Sequence, residues 1–314
     1  MTGDRLLGGL GALARGARAA GLGRPFDAVR DACDAPFVRF GRPPLRAEIE
    51  GLPFRGYLRH RSFLANGARR ETSYIELFAR TLRPGLTVVD GGAHLGVYTV
   101  LAARAVGSTG RVVAFEPDAY NFGALKLNVR RLAGDNVRLS RRALAAAPGR
   151  AELHVSRSTI GSSFVRRGDT TSVASVETTS VDDELAELDL DGGLLVKLNV
   201  EGAEGLAVEG MRRTLERVED ATLFAEVHPA LMRAVGAEPD DLVAELLSLG
   251  FDVSWIAHSA PTAVPLDERT AEDRGHLFAV RVSDARSDAP AGGHRARPRR
   301  QPHVGRADPA SRAS

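Results

Sequence analysis

The sequence predicts an α/β protein built on a largely parallel sheet covered on both faces. Two observations point there. The middle of the chain alternates strand-like apolar runs with helix-like periodic segments, and one of those strands leads through a glycine turn directly into a helix. A further change of texture, from Arg150 to Ser180, reads as short β pieces around a polar loop, which makes it a hairpin insertion or lid rather than part of the main sheet.

Taken in order, Ser73 and Glu76 have the spacing of a capping box. Tyr74, Ile75, Leu77, Phe78 and Leu82 then recur at helical spacing until Pro84-Gly85 stops the helix. TVVD (Thr87 to Asp90) is a buried strand, followed by a glycine loop and a helix through Val97, Val100, Leu101 and Ala105. RVVAFE (Arg111 to Glu116) is the second strand. Asp118 is placed to cap a helix carrying Phe122, Leu125, Val129 and Leu132, and NVRLSRRAL reads as a third strand. After the insertion, LLVKLNV (Leu194 to Val200) is a central strand, Ala203 to Leu215 a helix, ATLFAEV a further strand and Asp240 to Leu249 a helix. FDVSWIA and HLFAVRV close the sheet; their short connection makes them antiparallel. The outline is a seven-stranded, mostly parallel sheet with an antiparallel end strand.

Composition narrows the classes. Lys+Arg 42 against Asp+Glu 40 excludes a uniformly basic nucleic-acid binder, and 43% hydrophobic residues suffice for a sizeable core. No apolar run approaches the roughly 20 residues needed to span a bilayer, so no stable membrane insertion is expected. The lone Cys33 forms no internal disulfide, which suits a reducing, cytoplasmic setting, and the short, glycine-broken apolar stretch from Leu6 to Ala14 makes a poor cleaved signal. Residues 284–314 hold seven Arg and three Asp, a net of +4, so the remainder carries +2 minus +4, or −2. This segment is expected to be a disordered basic tail, and residues 1–44 a partly disordered N-terminal arm.

The chemistry concentrates in VVDGGAHLGVYT. Gly91, Gly92 and Gly96 allow close backbone approach at a helix N-terminus, a nucleotide-binding geometry, yet the spacing is neither GxGxxG nor GxxxxGK[ST]. That disfavours an NAD-linked oxidoreductase. Asp90 would repel a pyrophosphate but suit a ligand carrying an ammonium group and a sulfonium centre. Glu116 ends the neighbouring strand, so both carboxylates should meet at the C-terminal sheet edge, where Glu116 can accept two ribose hydroxyls.

VVDGGAHLGVYT, VVAFEPDAYNFGALKLNV and LLVKLNVEGAEGLAVEG together resemble the FkbM-type family of S-adenosylmethionine-dependent methyltransferases, over roughly Glu71 to Val282. The resemblance implies a Rossmann-like class I methyltransferase fold over residues 45–283 and O-methylation of a sugar, polyketide or related secondary metabolite. It assigns Asp90, Gly91, Gly92, Ala93, His94 and Gly96 to the methionine part of S-adenosyl-L-methionine, Glu116 to the ribose, and Phe115 and Asn121 to the flanks of the nucleoside. The family motif K-x-D-x-E-G-x-E here runs from Lys197 to Glu204 with Asn199 in place of the aspartate. Asn199 therefore marks either a degraded site, in a cofactor-binding partner protein with little catalysis, or a position whose role is only to orient.

Transfer to an aliphatic hydroxyl benefits from a positioned base, worth roughly 10²- to 10⁴-fold. His228, directly after the strand ending at Val227, is the first candidate, its alternative a structural imidazole before Pro229. Lys197, Asn199 and Glu201 fall on one strand face and would position the acceptor; the alternative is that Lys197 pairs with Glu201 or Glu226 beneath the site. One firm carboxylate beside Asn199 and His228 is thin for a hard cation, so no metal is expected. The loop residues Ser158, Thr159, Ser162, Ser163, Arg166 and Arg167 either recognise the acceptor or form a solvated surface. As a lid, the loop should affect acceptor turnover and leave cofactor affinity nearly unchanged.

Overall fold

The computed structural model describes residues 12–13, 15–17, 19–67, 72–157, 159–257, 263–264, 266 and 274–282. The expected basic tail, Ser158 and the Ser73 side chain lie outside them. Helix α1 (Gly23–Arg39) and a hairpin of β1 (Leu45–Ile49) and β2 (Leu52–Gly56) precede α2 (Thr72–Thr81). The main sheet follows with β3 (Thr87–Gly91), α3 (Val97–Val106), β4 (Arg111–Phe115), α4 (Ala119–Leu132) and β5 (Val137–Ser140). The insertion comprises β6 (Ala143–Leu144), β7 (Gly149–Ser156) and β8 (Thr170–Thr179). The chain returns through α5 (Val181–Glu184), β9 (Leu194–Leu198), α6 (Glu204–Glu209), α7 (Arg212–Arg217) and β10 (Ala221–Val227). It then runs through α8 (Pro229–Ala234), α9 (Pro239–Ser248), β11 (Asp252–Ala257), β12 (Ala263–Val264) and β13 (Gly275–Arg281).

The strand order is β12-β11-β13-β10-β9-β3-β4-β5. Apart from the two-residue β12 at the edge, this is the expected seven-stranded Rossmann-like sheet: β13 runs antiparallel to both its neighbours, and the other six principal strands run together. Strand pleating explains why both faces are covered. Val88, Val112 and Leu195 enter one apolar cluster, while Val89, Val113 and Val196, one residue on, enter the opposite one. The chain leaves β3 toward β4 and β5, then returns to place β9 on the other side of β3, so the sheet has its topological switch between β3 and β9.

Local signals explain most boundaries. Asp118 caps α4, its Oδ1 accepting from the Tyr120 and Asn121 amides, and Pro229 and Pro239 occupy the first turns of α8 and α9. Two expectations need correction, and one element was not anticipated. NVRLSRRAL is two strands: β5 extends the main sheet, and after Arg141-Arg142 β6 joins a separate three-stranded sheet of order β6-β8-β7. Ala203 to Leu215 is two helices, broken at Gly210-Met211, where a Cβ on Gly210 would lie 2.2 Å from the Ala145 carbonyl oxygen. The β1–β2 hairpin had no clear sequence signal, yet Leu45, Ile49 and Phe54 bury against Leu95, Val97 and Leu125. Among the described residues no helix is long and apolar enough to cross a membrane.

Candidate functional site

A cleft of about 860 Å³, open solvent at its mouth included, lies over the C-terminal ends of β3, β4 and β9. Such edges bind ligands because the loops that follow parallel strands converge there while the strands hold them rigid. Gly92, Ala93 and His94 line it after β3, Phe115 at the end of β4 with Glu116 and Asn121 beyond it, and Lys197 within β9 with Asn199 and Glu201 in the turn that follows, so these three do not share the one strand face expected. Thr159 to Phe164 of the β7–β8 loop cover it, and Phe63 and Tyr98 add aromatic walls.

The glycine turn acts through chain crossing more than through open amide donors. Gly92 has φ 75°, and a Cβ there would sit 1.9 Å from the Asn199 carbonyl oxygen, so only glycine lets the β3 and β9 loops pass. The Gly92 and Ala93 amides both donate to the Phe115 carbonyl (3.0 and 2.9 Å), and the His94 amide donates to Glu116 Oε2 at 2.7 Å. These three amides are thus committed within the protein. Gly91 packs against Leu144 and Leu198, Gly96 against Leu125; neither reaches the cleft.

Asp90 is also displaced from its expected role. It is 0% exposed and absent from the cleft lining. Its Oδ2 accepts from Thr99 Oγ1 at 2.6 Å, and its Oδ1 lies 3.1 Å from Lys197 Nζ, its direct register partner across β3 and β9. The Lys197 ammonium also donates to the Gly91 and Gly92 carbonyls (3.2 and 2.9 Å) and sits 5.1 Å from the Tyr98 ring centre. Lys197 therefore pairs with Asp90, not with Glu201 or Glu226. The pair ties the two loops together from below, because an ionised carboxylate is tolerated in the interior only with a partner.

At one end of the cleft stands Glu116. Besides the His94 amide it accepts from the Asp118 amide (3.0 Å) and weakly from Asn121 Nδ2 (3.5 Å). Burial, reinforced by the Asp118 carboxylate, pushes its carboxyl up to about 8 despite these donors. Phe115 and Asn121 line the cleft beside it.

At the other end, Glu201 lines the cleft from a backbone with φ 54°, unusual for a residue with a side chain. Arg167 of the loop donates to Glu201 Oε2 at 3.0 Å, and His228 Nε2 lies 3.9 Å from the same oxygen. Burial raises the Glu201 carboxyl above its ordinary range, opposed by the His228 charge. His228 is not part of the lining. Its Nε2 bonds Glu226 Oε1 at 3.1 Å, so it stands behind Glu201. Burial alone would raise Glu226, but the bonds from His228 and Arg274 and the nearby His276 hold it well below the usual carboxylate range. Glu204, the last residue of the motif, is buried away from the cleft and accepts from the Val200 and Gly202 amides (both 3.0 Å), clasping the turn that carries Glu201.

The loop touches both ends. Thr159 Oγ1 meets His94 Nε2 at 3.1 Å, the Thr159 carbonyl accepts from Asn121 Nδ2 at 3.0 Å, and Ser162 donates to Asp118 Oδ2 at 3.1 Å. It therefore contacts the residues around Glu116 as well as Glu201. Sequence reasoning missed His60, Phe63 and Tyr98; His60 and Phe63 carry no local motif and pack against His94 from far away in the chain, whereas Tyr98 lies within VVDGGAHLGVYT, where it reads as a residue of the helix that follows the glycines. Among the described residues no cluster of three or more His, Cys, Asp or Glu is arranged to hold a metal ion.

The family described as the methyltransferase FkbM domain matches residues 90–253, more than half of the 314-residue chain. Among solved structures, an rRNA methylase from Streptococcus thermophilus is 13% identical, with 67% of this chain and 95% of that one covered at a TM-score of 0.38. A SAM-dependent O-methyltransferase from Thermotoga maritima is 16% identical over 67% of this chain and 65% of that one, at 0.37. A precorrin-6y C5,15-methyltransferase from Geobacter metallireducens is 14% identical over 67% and 87%, also at 0.37. No curated protein matches the chain.

Proposed function

The chain belongs to the FkbM methyltransferase family and is an S-adenosylmethionine-dependent methyltransferase, and we propose that it methylates a hydroxyl oxygen of a sugar, a polyketide or a related secondary metabolite. One observation carries this reading: a single cleft at the sheet's switch point has a buried carboxyl beside an aromatic ring and an amide at one end, and a polar Lys197, Asn199 and Glu201 set at the other.

The donor set fits the cofactor. Glu116 has the chemistry to accept the two ribose hydroxyls, Phe115 and Asn121 to bracket the nucleoside, and the Gly92 to His94 turn to leave room for the methionine part. When bound, S-adenosylmethionine supplies a methyl group made electrophilic by its sulfonium. The protein's contribution is alignment and exclusion of water, for which a cleft roofed by the β7–β8 loop is suited. Asp90 acts through Lys197, whose ammonium holds both loop carbonyls. The acceptor proton passes to Glu201, which faces the cleft, with His228 and Glu226 behind it balancing charge; His228 itself acts from the second row. Asn199 orients the acceptor hydroxyl. The exposed, lone Cys33 suits a reducing cytoplasm.

The test is calorimetric titration with S-adenosylmethionine, S-adenosylhomocysteine and NADH, followed by transfer of labelled methyl to a panel of hydroxylated sugars and polyketides. Binding of the first two alone, abolished by Glu116→Ala, with label appearing as a methyl ether, is the expected result. Binding of NADH, or label on nitrogen or carbon only, refutes it. Asn199→Asp distinguishes an orienting amide, which predicts no gain in turnover, from a degraded acidic site, which predicts a large one. Full activity after exhaustive chelation is expected; loss restored by magnesium contradicts metal-independent transfer.

A further inference from the structure

We propose that His60, which lies before the matched family domain, is a positioning residue for the cofactor end of the cleft, fixing the orientation of Asn121 and through it the environment of Glu116. The inference rests on the reading of that end as the S-adenosylmethionine site.

His60 is 0% exposed at the end of a short 3₁₀ turn, Leu58–His60. Asp34 of α1 pins that turn, accepting from the Leu58 and Arg59 amides (2.8 and 3.1 Å) and from the Tyr120 hydroxyl. The imidazole has two polar partners of fixed sense. Its Nδ1 faces the Tyr57 amide at 3.0 Å, which can only donate, so the ring hydrogen resides on Nε2. Nε2 then donates to Asn121 Oδ1 at 3.1 Å. With Oδ1 so engaged, Asn121 Nδ2 must point to the Thr159 carbonyl and toward Glu116 Oε1. The reverse rotamer would set an amide oxygen against a carboxyl and a carbonyl. Burial lowers the His60 imidazole to about 3, so it offers one donor and one acceptor at every working pH, matching its neighbours. The same ring packs 5.1 Å from His94, whose amide, with that of Asp118, also supports Glu116.

Titration of the full-length protein with S-adenosylhomocysteine tests this in wild type, His60→Leu, His60→Gln, Asn121→Ala and the double variant His60→Leu/Asn121→Ala, with thermal melts alongside. His60→Leu should weaken binding about tenfold, the usual effect of stranding one buried hydrogen-bonding group. His60→Gln, able to accept from Tyr57 and donate to Asn121, should recover most of it. In the Asn121→Ala background His60→Leu should add less than about twofold, because a residue that works through Asn121 has nothing left to orient. Full additivity, or unchanged binding in His60→Leu, overturns the proposal while leaving the cofactor reading intact. Absence of binding in wild type sinks both. If His60→Leu does not fold, His60→Asn replaces it, since its amide meets Tyr57 but falls short of Asn121.

Discussion

Replacing Lys197 by Met retains the aliphatic stem and deletes the ammonium beneath the cleft. Asp90, 0% exposed, is left with the Thr99 hydroxyl donating to its Oδ2, and the Gly91 and Gly92 carbonyls each lose a donor. An uncompensated carboxylate takes up a proton instead. Holding a group of reference pKa about 3.9 protonated at pH 7 costs about 4 kcal/mol, at 1.36 kcal/mol per pH unit, within the 3–5 kcal/mol typical of breaking a buried pair. The same arithmetic leaves about 1.5 kcal/mol at pH 5. The sign follows from linkage: in the variant the folded carboxyl keeps its proton to higher pH than the unfolded chain does. The variant's stability is therefore retained at low pH and lost as pH rises. Urea unfolding at pH 5, 6, 7 and 8, followed by the fluorescence of the sole tryptophan, Trp255, which is 2% exposed, measures the gap. Carboxyls elsewhere titrate in both proteins and cancel in the difference. Asp90→Asn added to Lys197→Met should restore most of the loss and flatten its pH dependence. A gap below about 1 kcal/mol at pH 7, or one independent of pH, would refute the assignment of Asp90 and Lys197 as an ionised structural pair.

Three further outcomes are expected. Burial pushes both Glu116 and Glu204 up to about 8 from an ordinary 4.5, so their contribution to stability is complete below about pH 4.5 and disappears as pH rises through 8. The ligand-free melting temperature should fall over that window and Glu116→Gln should reduce the slope, whereas an unchanged slope in the variant counts against it. Gly92→Ala should destabilise by more than about 2 kcal/mol, since its Cβ meets the Asn199 carbonyl. Gly236→Ala, at φ 83° in open space after α8, should cost only about 1 kcal/mol in chemical denaturation. Deleting residues 159–167 should weaken S-adenosylhomocysteine binding as well as turnover, because Thr159 contacts His94 and Asn121; unchanged affinity in calorimetry would restore the narrower view of the loop as an acceptor lid.

Signals that act over a few residues were legible. The apolar run TVVD, the glycines after it, the Asp118 cap and the helix prolines report hydrogen-bonding patterns completed within one or two turns, so they can be read without knowing the partner strand. The C-terminal-edge position of Glu116 followed from its place at the end of β4, and the cleft lining bears out that placement. The break in NVRLSRRAL was not legible, because which sheet Ala143 and Leu144 join is decided by β8, more than thirty residues later.

The sequence by itself determined the class of fold, the strands that would carry the site and the family chemistry. Tertiary structure alone decided which side chains meet. Asp90 faces Lys197 because β9 pairs with β3 in a register that sets those two opposite. His60 reaches Asn121, 61 residues away, because a turn anchored on Asp34 carries it against α4. His228 falls behind Glu201 because the turn after β9, held by Glu204, swings the nearer carboxylate into the cleft. Local sequence encodes backbone conformation through short-range hydrogen bonding and sterics. The ionic and hydrogen-bonded partnerships of a buried site depend on desolvation and on distances that exist only after the sheet has closed.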